Sequence, residues 1–378
     1  MVYFVAIVLS AVIGHIAGLQ ENTRVRYALC FAALLPLCVL AAFRSYTIGT
    51  DVMVYAYPVF QSAPSLSLGG IVAGYTNVEP GFACLSWVFS GLSGNNFQVM
   101  LFALELLIAA PILYVTCRCV PHEVASVLVV YSFLLFGFGL CVIRQSVAAS
   151  FLLLAGLFAW ERKPLKFILA VAVAVSFHTM GVIGVLIWPL VNLFSTRRPS
   201  INEKKIGHII IVAVCLALCC VSLFVAAGNE LIGLAGKIKY TFADQFNYGA
   251  DTSPTLSFIV YALFAASAYL LIVRNNKEVS KNADLFNGLR LLLLVIVLSA
   301  VFAQLSLIST QLNRIGWLLL PSACLYWGLI MSQTRKGYFL AFSVLAIFHA
   351  AFFIWVYIMG GVGEIYPYSS TLAPFLTF

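Results

Sequence analysis

The sequence predicts an all-α polytopic membrane protein, a transmembrane helical bundle of roughly 10–12 membrane segments, some of them short or re-entrant. Two observations support this prediction. Of the 378 residues, 63% are hydrophobic and only 9% are charged, whereas soluble domains carry about 25% charged residues. The apolar residues also form runs of about 20, the length at which a helix crosses a bilayer with its backbone hydrogen bonds satisfied internally. We therefore expect a single integral membrane domain over residues 1–378.

Apolar runs predict the individual membrane segments. In chain order they are 2–19, 27–43, 97–117, 124–143, 145–160, 167–193, 206–227, 255–273, 285–308, 315–331 and 338–359. Run 81–93 is too short to span a bilayer upright and predicts an interfacial or re-entrant piece. The first run lacks a basic leading segment and a small-residue cleavage site, so we expect a retained helix rather than a signal peptide.

Basic residues orient these segments. The net charge is +8, and lysines and arginines cluster in short loops such as 24–26, 162–166 and 335–336. The positive-inside rule places such loops in the cytoplasm, which puts the loops near 44–80 and 228–254 on the outer face. No basic stripe is interleaved with aromatic residues, so we do not expect nucleic acid as a partner.

One run conflicts with a simple alternation of helices. Residues 167–193 have basic clusters at both ends, and a single helix of that length would span about 40 Å at about 1.5 Å per residue. Two half-helices that turn near His178 would return both ends to the cytoplasm. The alternative is one long tilted helix, which would invert the orientation of everything on one side of it. We favour the hairpin, and both readings stay open at this point.

With the hairpin, ionisable residues from separate parts of the chain share the outer face. They are Arg44, Asp51, Glu79, Arg144, His178 and Arg314. Ionisable groups at membrane depth are costly and usually face a cavity or a partner. Arg144, with Gln145 beside it, interrupts the mostly apolar stretch 124–160, where an unpaired guanidinium would cost several kcal/mol. We therefore treat these residues as candidates for function.

Four of these six candidates also have a structural interpretation. Arg44 would be a snorkelling arginine at the interface. Asp51 would cap a helix over 52–60, with Tyr55 on the same helical face. Glu79 would be an exposed loop carboxylate, and His178 a core histidine.

The candidates together suggest a chemistry. Arg44, Arg144 and Arg314 facing one compartment suggest an anionic ligand, because guanidinium binds phosphate oxygens in bidentate geometry. A carboxylate or imidazole beside them suggests proton abstraction from a hydroxyl. This combination fits transfer chemistry on a lipid-linked phosphate, with the arginines stabilising a leaving diphosphate. The scheme requires no metal or cofactor, and the ten cysteines, mostly within apolar runs, show no zinc-ligand spacing.

Motifs spread over nearly the whole chain resemble the EpsG family. The stretch Arg44-Ser-Tyr-Thr-Ile-Gly49-Thr50-Asp51-Val-Met-Val-Tyr55 resembles the family signature R-x-x-x-x-G-T-D-x-x-x-Y. Further blocks that resemble the family are Glu79-Pro80-Gly81-Phe82, Asn96-Phe97-Gln98, Ile143-Arg144-Gln145-Ser-Val-Ala148 and Ser176-Phe177-His178. Looser matches are Asn313-Arg314 and Tyr366-Pro367-Tyr368.

The resemblance implies an exopolysaccharide or O-antigen polymerase similar to Wzy proteins, with a helical architecture like that of GT-C glycosyltransferases. Its substrate would be an undecaprenyl-diphosphate-linked oligosaccharide, joined to another at the outer face of the bacterial cytoplasmic membrane. Membrane lipid and other polysaccharide assembly proteins would be its partners. Chemistry assigns Arg44, Arg144 and Arg314 to the diphosphate.

The same chemistry makes Asp51, His178 or Glu79 the base that activates an acceptor hydroxyl, and Gln145 and Tyr55 further substrate-binding residues. Two other function classes stay open. A transporter or flippase of lipid-linked sugars would place its polar groups near the midplane, often within inverted repeats. A membrane O-acyltransferase would also use a membrane histidine but would not need three outward-facing arginines.

Overall fold

A computed structural model describes residues 2–75, 78–194, 253–273, 282–305, 310–334 and 337–372. Within these ranges the chain is helical, and the one extended pairing is an isolated bridge between Arg44 and Ser370. The chain divides into two compact units. Unit 1 comprises Met1–Val191 and Ala323–Phe378, and unit 2 comprises Asn192–Ser322. The predicted run 206–227 and residues 228–252 of the predicted outer loop lie outside the described residues.

The described helices confirm a multi-pass helical membrane protein. Seven of them are long and apolar enough to cross a membrane: Thr23–Ala42, Phe97–Cys119, Val124–Cys141, Ile143–Trp160, Ala283–Gln304, Leu312–Ser332 and Tyr338–Met359. Shorter apolar helices of 10–17 residues cover Val2–Gly18, Pro80–Leu92, Pro164–Phe177, Thr179–Phe194 and Leu256–Ile272. Run 81–93 forms the short helix Pro80–Leu92, and its interfacial or re-entrant placement stays a prediction.

Unit 1 begins with paired helices. Helices α1 (Val2–Gly18) and α2 (Thr23–Ala42) pack against each other, and the side chain of Asn22 caps α2 by accepting from the backbone N–H of Arg24. A side chain at this position satisfies a donor that the first helical turn leaves open. On the outside of α1, Val5, Val8 and Val12 are more than half exposed, as expected for side chains that meet lipid.

Short helices fill the segment after α2. A π-helical turn at Val52–Ala56 leads into α3 (Tyr57–Ser62), and α4 (Leu68–Gly74) and α5 (Pro80–Leu92) follow. The longer helix α6 (Phe97–Cys119) then packs against α2.

A single non-helical residue, Val142, separates the helices of the predicted pair 124–143 and 145–160. Helices α7 (Val124–Val130) and α8 (Phe136–Cys141) are joined by a π-helical turn at Tyr131–Leu135. At Val142 the backbone leaves helical geometry, with φ −116° and ψ 65°. Helix α9 then runs over Ile143–Trp160 and packs against α6. Arg144 therefore lies in the first turn of a helix.

Residues 164–194 form the predicted hairpin. Helix α10 (Pro164–Phe177) ends at an extended His178, with φ −155° and ψ 123°, and the 3₁₀ segment Thr179–Leu186 leads into α11 (Ile187–Phe194). A Cβ added to Gly181 would lie 2.8 Å from the carbonyl carbon of Ala174, and one added to Gly184 would lie 3.2 Å from a methyl of Val171. The segment after His178 thus returns along α10. The hairpin is confirmed, and the single long helix is wrong.

The remaining helices belong to both units. In unit 2, α12 (Ser253–Ala268) packs on α13 (Ala283–Gln304), which packs on α14 (Thr310–Leu319). Gly316 allows α13 and α14 to approach closely, because a Cβ there would lie 2.7 Å from the carbonyl oxygen of Ser299. Helix α15 (Ser322–Ser332) begins at the last residue of unit 2 and otherwise belongs to unit 1. Helix α16 (Tyr338–Phe353) follows in unit 1. The C-terminal segment is attached to the first helices: the Tyr3 hydroxyl donates to the carbonyl of Ile365 at 2.6 Å.

Candidate functional site

The turn after α2 brings Asp51 to the beginning of α9. Gly49 has φ +85°, a left-handed conformation that other residues rarely adopt. A Cβ at this position would lie 1.9 Å from the carbonyl oxygen of Leu140. Only glycine allows this close approach between the turn and the end of α8, which explains the glycine two residues before Asp51.

Asp51 fixes the first turn of α9. Its Oδ2 atom accepts the backbone N–H of Ile143 at 3.0 Å and the hydroxyl of Tyr55. A carboxylate at a helix N-terminus satisfies an open donor and is favoured by the helix dipole. The expected cap on 52–60 is wrong, because the side chain makes no cap hydrogen bond to the turn that follows it. Asp51 instead caps a helix 92 positions further along the chain.

Tyr55 connects Asp51 to Arg144. Burial, followed by the Asp51 carboxylate, raises the pKa of Tyr55 well above its ordinary value, so the phenol stays protonated and donates. The Cζ atom of Arg144 lies 3.9 Å from the centroid of the Tyr55 ring, within the range of a cation–π interaction. The Tyr55 ring also packs edge-on against Phe82, with ring centroids 5.4 Å apart.

Arg144 is paired with Glu79. Its Nη1 atom donates to Oε2 of Glu79, and the side chains are 18% and 13% exposed, respectively. The other carboxylate oxygen of Glu79, Oε1, accepts the backbone N–H of Thr179 at 3.2 Å. The ion pair is therefore shielded from most of the solvent but not sealed from it.

Gly81 places Glu79 against the apex of the hairpin. A Cβ at Gly81 would lie 2.6 Å from the carbonyl oxygen of Ser176. The backbones at the beginning of α5 and the end of α10 are therefore in close contact. Glu79 precedes α5 by one residue and Thr179 follows His178. The glycines of the Gly49-Thr50-Asp51 and Glu79-Pro80-Gly81 motifs thus both allow a close backbone approach that brings the motif carboxylate to another helix end.

His178 lies beside this network and is 8% exposed. Its Nδ1 atom accepts the backbone N–H of Met180 at 3.2 Å. Because Nδ1 supplies its lone pair to that bond, the neutral ring carries its proton on Nε2. Neutral His178 is thus a donor at Nε2.

The structure joins Asp51, Tyr55, Glu79 and Arg144 directly, with His178 next to Thr179. Gln145 is buried and follows Arg144 in α9. Arg314 is exposed on α14. It belongs to unit 2, so its membership of the site remains a prediction.

Arg44 lies in the interior of unit 1 rather than at its surface. It is 2% exposed, and the C-terminal segment covers it: Ser45 N donates to Ser369 O at 2.8 Å, and Thr371 N donates to Phe43 O at 2.9 Å. Its Nε atom has no hydrogen-bond partner in the part of the chain that the structure describes. Burial lowers the pKa of Arg44, while Cys141, Glu105 and the nearby tyrosines oppose that shift. The interpretation as a snorkelling surface arginine is wrong.

Glu105 is the residue that the sequence pattern did not assign to a site. It is 2% exposed in α6, accepts the hydroxyl of Tyr131, and is the carboxylate in the electrostatic neighbourhood of Arg44. An acidic residue within an apolar helix is the signal that marks it. Its partners lie on other helices and leave no local pattern.

Among the described residues, no group of three or more His, Cys, Asp and Glu side chains could hold a metal ion. The site consists instead of carboxylates, an arginine and donors from helix ends.

Comparison with known proteins identifies the family. The model of the EpsG family matches residues 27–370 of the 378. No curated protein and no solved structure matches the chain. The match spans every residue of the network around Arg144, from Asp51 to Thr179. The chain belongs to the EpsG family.

Proposed function

We propose that this protein polymerises undecaprenyl-diphosphate-linked oligosaccharide repeat units by glycosyl transfer at the outer face of the bacterial cytoplasmic membrane. Membership of the EpsG family supports a polysaccharide polymerase role for this multi-pass membrane protein. The observation that carries the proposal is the pairing of a partly exposed arginine, Arg144, with a partly exposed carboxylate, Glu79. Displacement of a diphosphate by a hydroxyl needs a cation that binds the leaving group and a base that receives the hydroxyl proton.

Arg144 is suited to bind the diphosphate. It lies in the first turn of α9, where the helix dipole favours negative charge. Its guanidinium offers several donors in a planar fork that matches phosphate oxygens. As the bond between the anomeric carbon and the diphosphate oxygen breaks, negative charge grows on the diphosphate and its interaction with Arg144 strengthens.

Hydrogen bonding separates the three candidate bases. Asp51 already accepts from a helix N–H and a phenol, so we assign it to positioning α9. His178 uses Nδ1 as an acceptor, so we assign it to donation from Nε2 toward a substrate oxygen. Glu79 also accepts two hydrogen bonds, but one of them comes from Arg144, whose guanidinium a diphosphate can take over. We therefore assign Glu79 as the base that receives the proton of the acceptor hydroxyl. Gln145 and Arg314 are further proposed substrate ligands.

In this proposal Arg44 has an indirect role. Its burial beneath the C-terminal segment disfavours direct contact with a lipid diphosphate. The charge of its guanidinium still acts on the same unit, and an effect on the diphosphate would be electrostatic.

Family membership favours a transferase over a transporter of lipid-linked sugars. An acyltransferase histidine would act as a base, whereas Nδ1 of His178 is already occupied.

The test is a profile of lipid-linked oligosaccharides in a polysaccharide-producing strain that carries Arg144→Ala. We expect abundant, inserted protein, no long chains, and single repeat units that accumulate on the outer leaflet. Arg118→Ala is the matched control, because Arg118 is exposed and pairs with Glu161 away from the network. Normal chains in the Arg144 variant would overturn the proposal. Accumulation on the inner leaflet would instead support a flippase.

A further inference from the structure

Both carboxylate oxygens of Glu79 are occupied in this structure. Arg144 donates to Oε2, and the backbone N–H of Thr179 donates to Oε1. A hydroxyl that is to lose its proton must hydrogen-bond to the base first. In this arrangement an acceptor sugar would have to compete with a charged donor for Oε2. Glu79 is therefore not ready to act as a base while Arg144 holds it.

Two contacts that do not involve Glu79 support the position of Arg144. The Tyr55 ring supports its guanidinium from one side, and Asp51 fixes the turn of α9 from which the side chain extends. Neither support involves Glu79. An anion that enters at the exposed edge of the pair can therefore take over the guanidinium without rearranging the helix. A diphosphate carries more negative charge than one carboxylate and offers oxygens that fit the guanidinium fork.

Thr179 prevents the released carboxylate from leaving the site. Its backbone N–H bonds the Glu79 oxygen that Arg144 does not use. That donor belongs to the apex of the hairpin, which packs against the beginning of α5 through Gly81. After an exchange at Arg144, Glu79 would remain anchored through Oε1 while Oε2 became available.

We propose that the Arg144–Glu79 pair is a donor-gated base: the incoming lipid diphosphate replaces Glu79 on Arg144, and only then does Glu79 accept a proton. This inference rests on the proposed function. In the gated step, the acceptor oxygen bonds to the anomeric carbon and its proton moves to Oε2 of Glu79. The anomeric carbon–oxygen bond breaks, and its electron pair leaves on the diphosphate held by Arg144. The acceptor is thus activated only when a donor is present.

A donor-gated base predicts a change in ligand affinity that a simple binding site does not predict. Glu79→Gln removes the negative charge that competes for Arg144 but keeps the shape of the side chain. We expect the purified variant to bind geranylgeranyl diphosphate about tenfold more tightly than the wild type, measured by titration calorimetry in detergent. Chain extension by the same variant should be lost. Arg144→Ala should lose the binding.

Glu364→Gln is the matched control. Glu364 lies on the C-terminal segment, and the variant lowers the negative charge of the protein by the same amount. Its affinity should equal that of the wild type. Unchanged or weaker binding by Glu79→Gln, with normal wild-type binding, would overturn the gating and leave the proposed function standing. If the wild type binds the prenyl diphosphate no better than inorganic phosphate, the proposed function fails first.

A second measurement needs no variant. Carbodiimide labels carboxylates that are not held by donors, and mass spectrometry locates the label. Geranylgeranyl diphosphate should increase labelling of Glu79 in the wild-type protein, whereas geranylgeraniol should not. Labelling that stays constant or falls with the diphosphate would contradict the exchange, including in the case that Glu79→Gln fails to fold.

Discussion

Two arginines of unit 1 have the same charge but opposite surroundings. Arg144 is 18% exposed, pairs with Glu79 and stacks on Tyr55. Arg44 is 2% exposed and lies beneath the C-terminal segment. A buried charge without full pairing costs free energy, whereas a paired charge at an accessible edge can exchange its partner. From this comparison we predict that Arg144 binds a ligand and that Arg44 has a structural role.

The difference follows from what covers each arginine. Arg144 begins a helix, and the neighbouring element ends leave the pair partly accessible. Arg44 follows α2, where the C-terminal segment pairs with the backbone on both sides of it. Position after a helix end is thus insufficient to decide whether an arginine is available, because a distant segment can cover it.

The sharpest test of this comparison replaces each arginine by lysine. Arg144→Lys keeps the charge but loses the planar fork, so we expect the rate of chain extension to fall about 10²-fold. Arg44→Lys should change that rate by less than about threefold if Arg44 has no contact with substrate. The measurement is the initial rate of polymerisation in reconstituted vesicles. Equal losses in the two variants would break the distinction.

A structural test uses the glycine that brings Asp51 to α9. Gly49→Ala places a Cβ 1.9 Å from a carbonyl oxygen at a positive φ, so we expect a loss of about 2 kcal/mol or more in stability. Thermal unfolding in detergent measures it. Gly91→Ala in α5 is the control, because a Cβ there meets nothing within 4 Å. That variant should be stable, or slightly more so since alanine favours helices.

The interior arginine is tested together with its carboxylate. Arg44→Met removes a buried guanidinium that interacts electrostatically with the Glu105 carboxyl, so we expect lower thermal stability. Adding Glu105→Gln removes the stranded charge and should restore part of the loss. The expected coupling between the two sites is about 1 kcal/mol. Strict additivity would show that Arg44 and Glu105 do not act as a pair.

The smallest expected effect concerns the Tyr55 hydroxyl. Tyr55→Phe keeps the ring beneath Arg144 but removes the hydroxyl that hydrogen-bonds to Asp51 and Arg144, for a cost of about 1 kcal/mol. Chain extension should fall about fivefold, which corresponds to that free energy. Tyr55→Leu removes the ring as well and should reduce the rate further. If both variants fall equally, the ring contributes nothing to holding Arg144.

Local sequence predicted the fold class and a separate short piece at 81–93, and it favoured the hairpin at His178. Each of these depends on composition, run length or the charge of adjacent loops, which a single stretch of chain contains. The charged motif residues were also visible, because arginine and aspartate are unusual in apolar surroundings. For the same reason, the resemblance of these motifs to one family could be recognised from the sequence.

Only the tertiary structure decided which of these residues act together. Arg144 pairs with Glu79 65 positions away, Ile143 donates to Asp51 across 92 positions, and Thr179 donates to Glu79 across 100. Contacts at such separations depend on how helices pack, and they leave no periodicity in the sequence. The same reason explains why Arg44 was predicted at the surface and lies inside: the segment that covers it follows more than 300 residues later.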